Sequence, residues 1–249
     1  MKPILETRHL CKSFGALIVA ENFNFRLEVG ARHALIGPNG AGKTTFVNML
    51  TGLLPPSSGQ ILLGGEDITR LAQESRVKRG IGRTFQINTL FRDMSVLDNV
   101  ALGVAERHGL ARRLWRPASG HRKVREETFA LLDTLGLADD ASARTVDLPY
   151  GKQRLVEIAI ALGLKPRVLL LDEPAAGVPS MESGMILQVL DRLPEEIAIL
   201  IIEHDMDVVF RFARRITVLV DGKVLCEGDP TEIATDPRVR QVYLGEQHA

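Results

Sequence analysis

Residues 37–45 read Gly-Pro-Asn-Gly-Ala-Gly-Lys-Thr-Thr, which fits the phosphate-cradling template Gly-x-x-x-x-Gly-Lys-Thr. The chemistry this spacing suits is the binding of a nucleoside triphosphate. Gly37, Gly40 and Gly42 allow positive backbone angles and close approach, so successive N–H groups after Pro38, from Asn39 through Ala41 into the helix, can converge on phosphate oxygens at the positive end of a helix. Lys43 brings a point charge to the outer phosphates, and the Thr44 hydroxyl, followed by Thr45, is placed to ligate magnesium. An apolar run ending at Ile36 and an amphipathic run from Thr44 supply the strand and the helix that the template requires on either side. A glycine-rich helix cap without a ligand would not need the lysine and the hydroxyl in that order.

Kinases, GTPases and ATPases all use such a loop, and the second half of the chain separates them. Val168 to Leu171 are apolar and are followed by Asp172, Glu173 and Pro174. A continuous apolar run suits a central parallel strand covered on both faces, so Asp172 is expected at the carboxyl edge of the sheet, where it can hold magnesium opposite Thr44. Glu173 can orient and deprotonate an attacking water, and Pro174 ends the strand. A second apolar run, Ile197 to Ile202, ends in Glu203 and His204, and a histidine at that edge can reach a terminal phosphate, although alone it reads as a structural histidine. No Asn-Lys-x-Asp segment for reading guanine is present, which disfavours a GTPase.

Taken together, five segments in order resemble the ATP-binding subunits of the ABC transporter superfamily over essentially the whole chain, and most of all the ATPases of branched-chain and hydrophobic amino acid importers. They are residues 37–45, Arg83-Thr84-Phe85-Gln86, Leu148-Pro149-Tyr150-Gly151-Lys152-Gln153, Leu171-Asp172-Glu173-Pro174-Ala175-Ala176-Gly177, and Glu203-His204. The resemblance implies an α/β fold of P-loop NTPase type: an ABC ATPase core with a mostly parallel sheet and an antiparallel β part, plus an inserted α-helical subdomain. It divides a single domain, 1–249, into a core (1–86 and 165–249) and a helical signature subdomain (87–164). It further implies that Phe14 stacks on adenine, that Gln86 contacts magnesium, the attacking water and, through its mobile loop, a membrane partner, that Glu173 is the catalytic base, and that His204 is a switch on the terminal phosphate. ATP and Mg2+ are the implied ligands.

By the same resemblance, Pro149, Tyr150, Gly151, Lys152 and Gln153 form a signature segment that meets nucleotide held by a second, similar ATPase subunit. Two positions depart from the superfamily pattern. Pro149 has neither hydroxyl nor N–H where a serine is usual, and the loop after Glu173 runs Gly177-Val178-Pro179-Ser180 in place of its usual acidic or amide residue. Gly151 keeps one close backbone approach, and Lys152 can substitute charge for the lost hydrogen bonds; cross-subunit communication and the rate of hydrolysis are the properties these changes put in question. The expected partners are that second ATPase, integral membrane permease subunits and, indirectly, a periplasmic solute-binding protein. The expected place is the cytoplasmic face of a bacterial inner membrane, reached through the permease at a cleft beside Gln86, with residues 87–91 offering apolar contact. A urea or amide importer ATPase, a lipopolysaccharide exporter ATPase, and a soluble ABC ATPase are the alternatives.

Composition agrees. The chain has 249 residues, enough for a full α/β core, and its formal net charge is zero, which argues against bulk nucleic-acid binding. Cys11 and Cys226 provide neither a disulfide framework nor zinc spacing, so a reducing compartment is expected; no signal segment or membrane-spanning run is evident. The first strands are expected to be short pieces between Leu5 and Leu27, and residues 91–164 read as helical, with a capping box at Ser95 and Asp98 and one face formed by Phe129, Leu132 and Leu135. Asp221-Gly222 predicts a hairpin before a short helical tail. A basic stretch over residues 106–123, with Trp115 at its middle, reads as a solvated loop or as a partner-facing or membrane-facing one.

Overall fold

A computed structural model describes residues 3–84, 90–110 and 120–245. Two long antiparallel strands open it, β1 (Leu5–Phe14) and β2 (Leu17–Leu27). They are longer than the short pieces the sequence suggests because register shifts between Thr7 and Leu10 and between Leu10 and Lys12 break the two-residue alternation. β3 (Arg32–Ile36) then leads through the glycine loop into α1 (Lys43–Thr51), and β4 (Ser58–Leu63) and β5 (Glu66–Asp67) complete a four-stranded sheet in the order β2-β1-β4-β5. α2 (Gln73–Lys78) and β6 (Ile81–Arg83) return the chain to the centre.

Among the described residues, the α-helices α3 (Val96–Arg107), α4 (Arg122–Thr134) and α5 (Tyr150–Gly163) follow before β7 (Val168–Asp172). Ser95 caps α3 as its spacing suggests, its hydroxyl accepting from the Asp98 N–H at 3.0 Å and donating to the Asp98 carboxylate at 2.7 Å. On α4 the buried stripe is Val124, Thr128 and Leu132, continuing to Leu135 just beyond the helix. Phe129, expected on that stripe, is 43% exposed, because the four-residue spacing from Val124 selects Thr128 instead. α6 (Ser180–Asp191), β8 (Ala198–Ile202), α7 (Met206–Phe212), β9 (Arg215–Val220), β10 (Lys223–Gly228), α8 (Pro230–Thr235) and α9 (Pro237–Gly245) finish the described chain.

The second sheet has the order β10-β9-β3-β8-β7-β6, parallel from β9 to β6, with β10 returning antiparallel through Asp221 and Gly222, both at positive φ. β3, β7 and β8 are buried at every position. Their side chains alternate between two cores. Ala34, Ile36, Leu169, Leu171, Ile199 and Ile201 join the side that includes α3, α5 and α6, whereas Leu35, Val168, Leu170, Ala198, Leu200 and Ile202 face α1 and the antiparallel sheet. Phe46 fixes α1 there, its ring centroid 4.1 Å from that of Phe23 and 5.5 Å from that of Phe25 on β2. At its far end, the buried Arg76 guanidinium donates to the carbonyls of Met49 and Leu50, matching a cation to the negative end of the helix. The glycine loop is thus mounted on a helix held at both ends.

Candidate active site

The glycines of the loop meet different demands. A Cβ at Gly37 would lie 2.2 Å from the Leu219 carbonyl oxygen, and one at Gly42 would lie 2.7 Å from that of Val19, so these two let the loop settle onto β9 and β2. Gly40 has φ +81 and open space around its Cβ position, so there the backbone angle alone requires glycine. The β9–β10 turn braces the loop from below: the Gly222 N–H donates to the Ala41 carbonyl at 3.1 Å, and the Gly222 carbonyl accepts from the Glu21 N–H at 2.9 Å. That brace was not legible in the sequence. No side chain caps the start of α1, where the left-handed Gly42 precedes Lys43, so the positive end of the helix faces the loop. The Lys43 ammonium lies inside the loop, donating to the carbonyls of Gly37 and Pro38. Asn39 and Thr44 are exposed and Thr45 is half-buried.

Asp172 ends β7 as expected, and the sheet register sets its distance from the loop. Leu35 pairs with Ile202, and Ile202 with Asp172, so two strand spacings, roughly 9.6 Å, separate the Asp172 backbone from the residue before Ile36. The carboxylate is buried and accepts from Arg83 Nη2 at 2.8 Å. Arg83 Nη1 donates to Asn48 Oδ1 at 2.7 Å, so this guanidinium ties the end of β7 to α1. Arg83 stands three residues before Gln86 in the same segment.

Glu173 adopts φ +46, a left-handed conformation costing a non-glycine residue about 1–2 kcal/mol. Neighbours hold it there: its N–H donates to the Ile202 carbonyl at 2.9 Å, and its carbonyl accepts from Ala176 at 3.0 Å. Its Oε1 lies 3.5 Å from Nδ1 of His204, an exposed residue. The structure thus brings together the two polar strand ends that the sequence placed 31 positions apart. Behind them, the buried Glu203 accepts from the Ala175 N–H with one carboxylate oxygen and from the His204 N–H with the other, each at 3.2 Å. Burial raises its pKa above the ordinary carboxyl value, and those N–H groups partly oppose the rise.

Pro149 is the N-cap of α5 and offers it no side-chain hydrogen bond. The Gly151 N–H donates to Glu182 Oε2 at 3.0 Å, the Lys152 ammonium pairs with Asp140 at 2.7 Å, and Gln153 Nε2 donates to the Leu148 carbonyl at 2.9 Å. Tyr150 is 37% exposed, with the Arg154 guanidinium 5.3 Å from its ring centroid. The Lys152 charge is thus met by the partly exposed Asp140 carboxylate of the same chain. Phe14 ends β1 half exposed and pairs with Leu17, two residues from the Val19 carbonyl that lies against Gly42, which puts it on the hairpin beside the loop. Gln86, like residues 87–89 and Trp115, lies outside the described residues. Leu90 corrects the expected apolar contact: it is 7% exposed and packs into the core, whereas Phe91 is 58% exposed with its backbone clamped by Asn99.

The oxygen donors available, the Thr44 hydroxyl and the Asp172 carboxylate, are the kind Mg2+ prefers, and among the described residues no cluster of three His, Cys, Asp or Glu offers a different metal site. A parallel sheet with a lysine-bearing glycine loop after one central strand, and acids at the end of another, defines a P-loop nucleoside-triphosphate-binding protein. Residues 20–176 match the ABC transporter family model, and residues 223–249 match that of the branched-chain amino acid ATP-binding cassette transporter. The chain belongs to the ABC transporter family and is one of its ATP-hydrolysing subunits. Over 98% of its length it is 37% identical to the high-affinity branched-chain amino acid transport ATP-binding protein BraF of Pseudomonas aeruginosa, covering 99% of that protein. It is 39% identical to the lipopolysaccharide export system ATP-binding protein LptB of Acidithiobacillus ferridurans, with 99% of each chain covered. Among solved structures, the ADP conformation of the ATP-binding cassette MJ1267 matches with a TM-score of 0.88 at 30% identity, over 98% of this chain and 100% of that one. A dimeric structure of the bacterial ABC transporter cassette MJ0796 matches with a TM-score of 0.76 at 25% identity, over 91% and 98%.

Proposed function

We propose that this chain powers the import of branched-chain or similar hydrophobic amino acids, closing on ATP with a second ATPase subunit and driving a membrane permease. The observation that carries the substrate class is the match of residues 223–249 to the branched-chain amino acid cassette model, which favours that reading over the lipopolysaccharide exporter suggested by the LptB likeness. The dimeric MJ0796 cassette supports the pairing with a second subunit.

In this reading, the N–H groups at the start of α1 and the Lys43 ammonium bind and orient the outer phosphates, and Phe14 stacks on the base. Lys43 moves from the Gly37 and Pro38 carbonyls to phosphate, exchanging neutral acceptors for a charged one. Thr44 and Asp172 would hold Mg2+, which would neutralise charge on the phosphates, and the family resemblance adds Gln86 to its contacts. Glu173 takes the proton of the attacking water, and His204, beside it, contacts the terminal phosphate. The left-handed backbone at Glu173 turns its side chain off the line of β7, and the Ile202 and Glu203 contacts keep it there.

Among the described residues no helix is long and apolar enough to cross a membrane, so the permease is the proposed tether to the inner face. A groove of about 200 Å³ between α2, β6 and α5 has Val77, Ile160, Ala161 and Leu164 in its lining and runs up to Thr84, two residues before Gln86. That volume would take one side chain projecting from a permease helix. The test is uptake by proteoliposomes holding the chain with the membrane proteins that co-purify with it from its own cells. ATP-driven accumulation of labelled leucine supports the proposal; ATP turnover stimulated by lipopolysaccharide without leucine uptake overturns it.

A further inference from the structure

One carboxylate lies at the start of two helices. Glu182 is in the first turn of α6, and its Oε2 accepts the Gly151 N–H in the first turn of α5 at 3.0 Å. α5 needs that acceptor, because its N-cap is Pro149 and no side chain of its own caps it. The fit is close: a Cβ at Gly151 would lie 2.6 Å from Glu182 Oε2 and 3.2 Å from Glu182 Cβ, so glycine at 151 is what admits the carboxylate. With helices of 14 and 12 residues directing their positive ends toward it, the carboxylate is favoured electrostatically at both.

A second contact joins the same two segments. The Tyr150 ring lies against Gly177, where a Cβ would stand 3.3 Å from Tyr150 Cε1. Gly177 belongs to the loop that leaves β7 with Glu173 and enters α6 at Ser180. The start of α5 is therefore fastened, at Tyr150 and at Gly151, to the two ends of the segment that follows Glu173. A cap for α5 alone could have come from a serine at 149; a cap delivered from α6 also fixes where α5 sits relative to the Glu173 loop.

We propose that Glu182 is a positioning residue for ATP hydrolysis, holding the Pro149–Gly151 segment in register with the loop that carries Glu173. The proposal rests on the assignment of Glu173 as the base. Glu182→Ala should lower kcat by between about tenfold and about a hundredfold, the effect of a small misplacement at the reacting centre, with a smaller change in KM for ATP, since the phosphate loop of each subunit lies on other elements while the displaced segment meets only nucleotide held by the partner. Glu182→Gln should restore most of the rate, because its amide oxygen still accepts from Gly151. Pro149→Ser supplies α5 with a cap of its own and separates capping from coupling. If Glu182 couples the segments, the loss on Glu182→Ala persists in the Pro149→Ser background; if the loss vanishes there, Glu182 only caps a helix and the proposal is overturned. Unchanged or raised kcat in Glu182→Ala also overturns it. Glu173→Gln, run alongside, tells the two assignments apart: full turnover in that variant refutes Glu173 as the base, whereas a dead Glu173→Gln with a normal Glu182→Ala refutes only the role of Glu182.

Discussion

Arg83 offers a test in which the structure sets the size of the effect. Its guanidinium, 9% exposed, pairs at 2.8 Å with the Asp172 carboxylate, 5% exposed, and reaches Asn48 on α1 at 2.7 Å. Replacing Arg83 with Met keeps much of the side-chain volume and removes the charge, leaving a buried carboxylate without its cation. Breaking a buried pair from one side costs about 3–5 kcal/mol. In a chain of this length each kcal/mol is worth about 2–4 °C, so the midpoint of thermal unfolding should fall by roughly 6–20 °C. Much of that cost is the orphaned charge rather than the value of the pair, and the double variant Arg83→Met with Asp172→Asn should therefore recover at least half of the loss. Urea denaturation of wild type, both single variants and the double variant gives the coupling directly. A fall below about 1 kcal/mol for Arg83→Met, or a double variant no better than the two losses combined, would refute the claim that this pair holds the end of β7 against α1.

His33, on β3 just before the loop, is buried against Phe25 and bonded to Thr217 at 2.8 Å. Burial lowers its pKa from 6.5 to about 4, with Glu227 pulling it back up and Arg215 pushing it down. The unfolded chain binds the proton first, so stability is full above pH 6.5 and falls between pH 6.5 and pH 4. The loss approaches about 3 kcal/mol, and comparing the urea midpoints of wild type and His33→Gln across that window should isolate it; parallel curves would show that His33 is not the group titrating. Leu90→Glu should destabilise the chain by several kcal/mol, because the charge would enter the core, and circular dichroism melting would reveal a variant that keeps its wild-type midpoint and so contradicts the burial. Phe91→Glu, on the exposed neighbour, should shift the melting midpoint by no more than about 2 °C, and a larger drop would mean that Phe91 packs against something.

The parts of the site that could be read from the sequence are those whose chemistry demands fixed residue types at fixed spacing. Residues 37–45 and the acids after Leu171 are of this kind, and the apolar run Val168–Leu171 marks a central strand, whereas the strand before the loop shows only Ala34, Leu35 and Ile36 after the polar Arg32 and His33. What stayed hidden depends on partners far along the chain. Arg83 acts through Asn48 and Asp172, 35 and 89 residues away, and Glu182 reaches Gly151 across 31. Gly222 supports the loop from a turn that the sequence presents only as a hairpin. Local pattern misled where geometry interrupts the period: bulges disguised the length of β1 and β2, and on α4 a polar Thr128 occupies the buried position that hydrophobicity alone would give to Phe129. Pro149 departs from the usual serine, and its own segment shows no substitute for the missing hydroxyl. In the fold it is the start of a helix whose missing cap comes from α6.

The most direct test of the account is single-turnover hydrolysis by Glu173→Gln, measured together with ATP binding. An amide at this position keeps the shape and the hydrogen bonding near His204 and loses the basicity, while the phosphate loop is untouched. The account predicts ATP affinity within about threefold of wild type and a rate lower by between about a hundredfold and about ten-thousandfold. A rate within tenfold of wild type, with ATP still bound, would contradict it and assign the base to another residue.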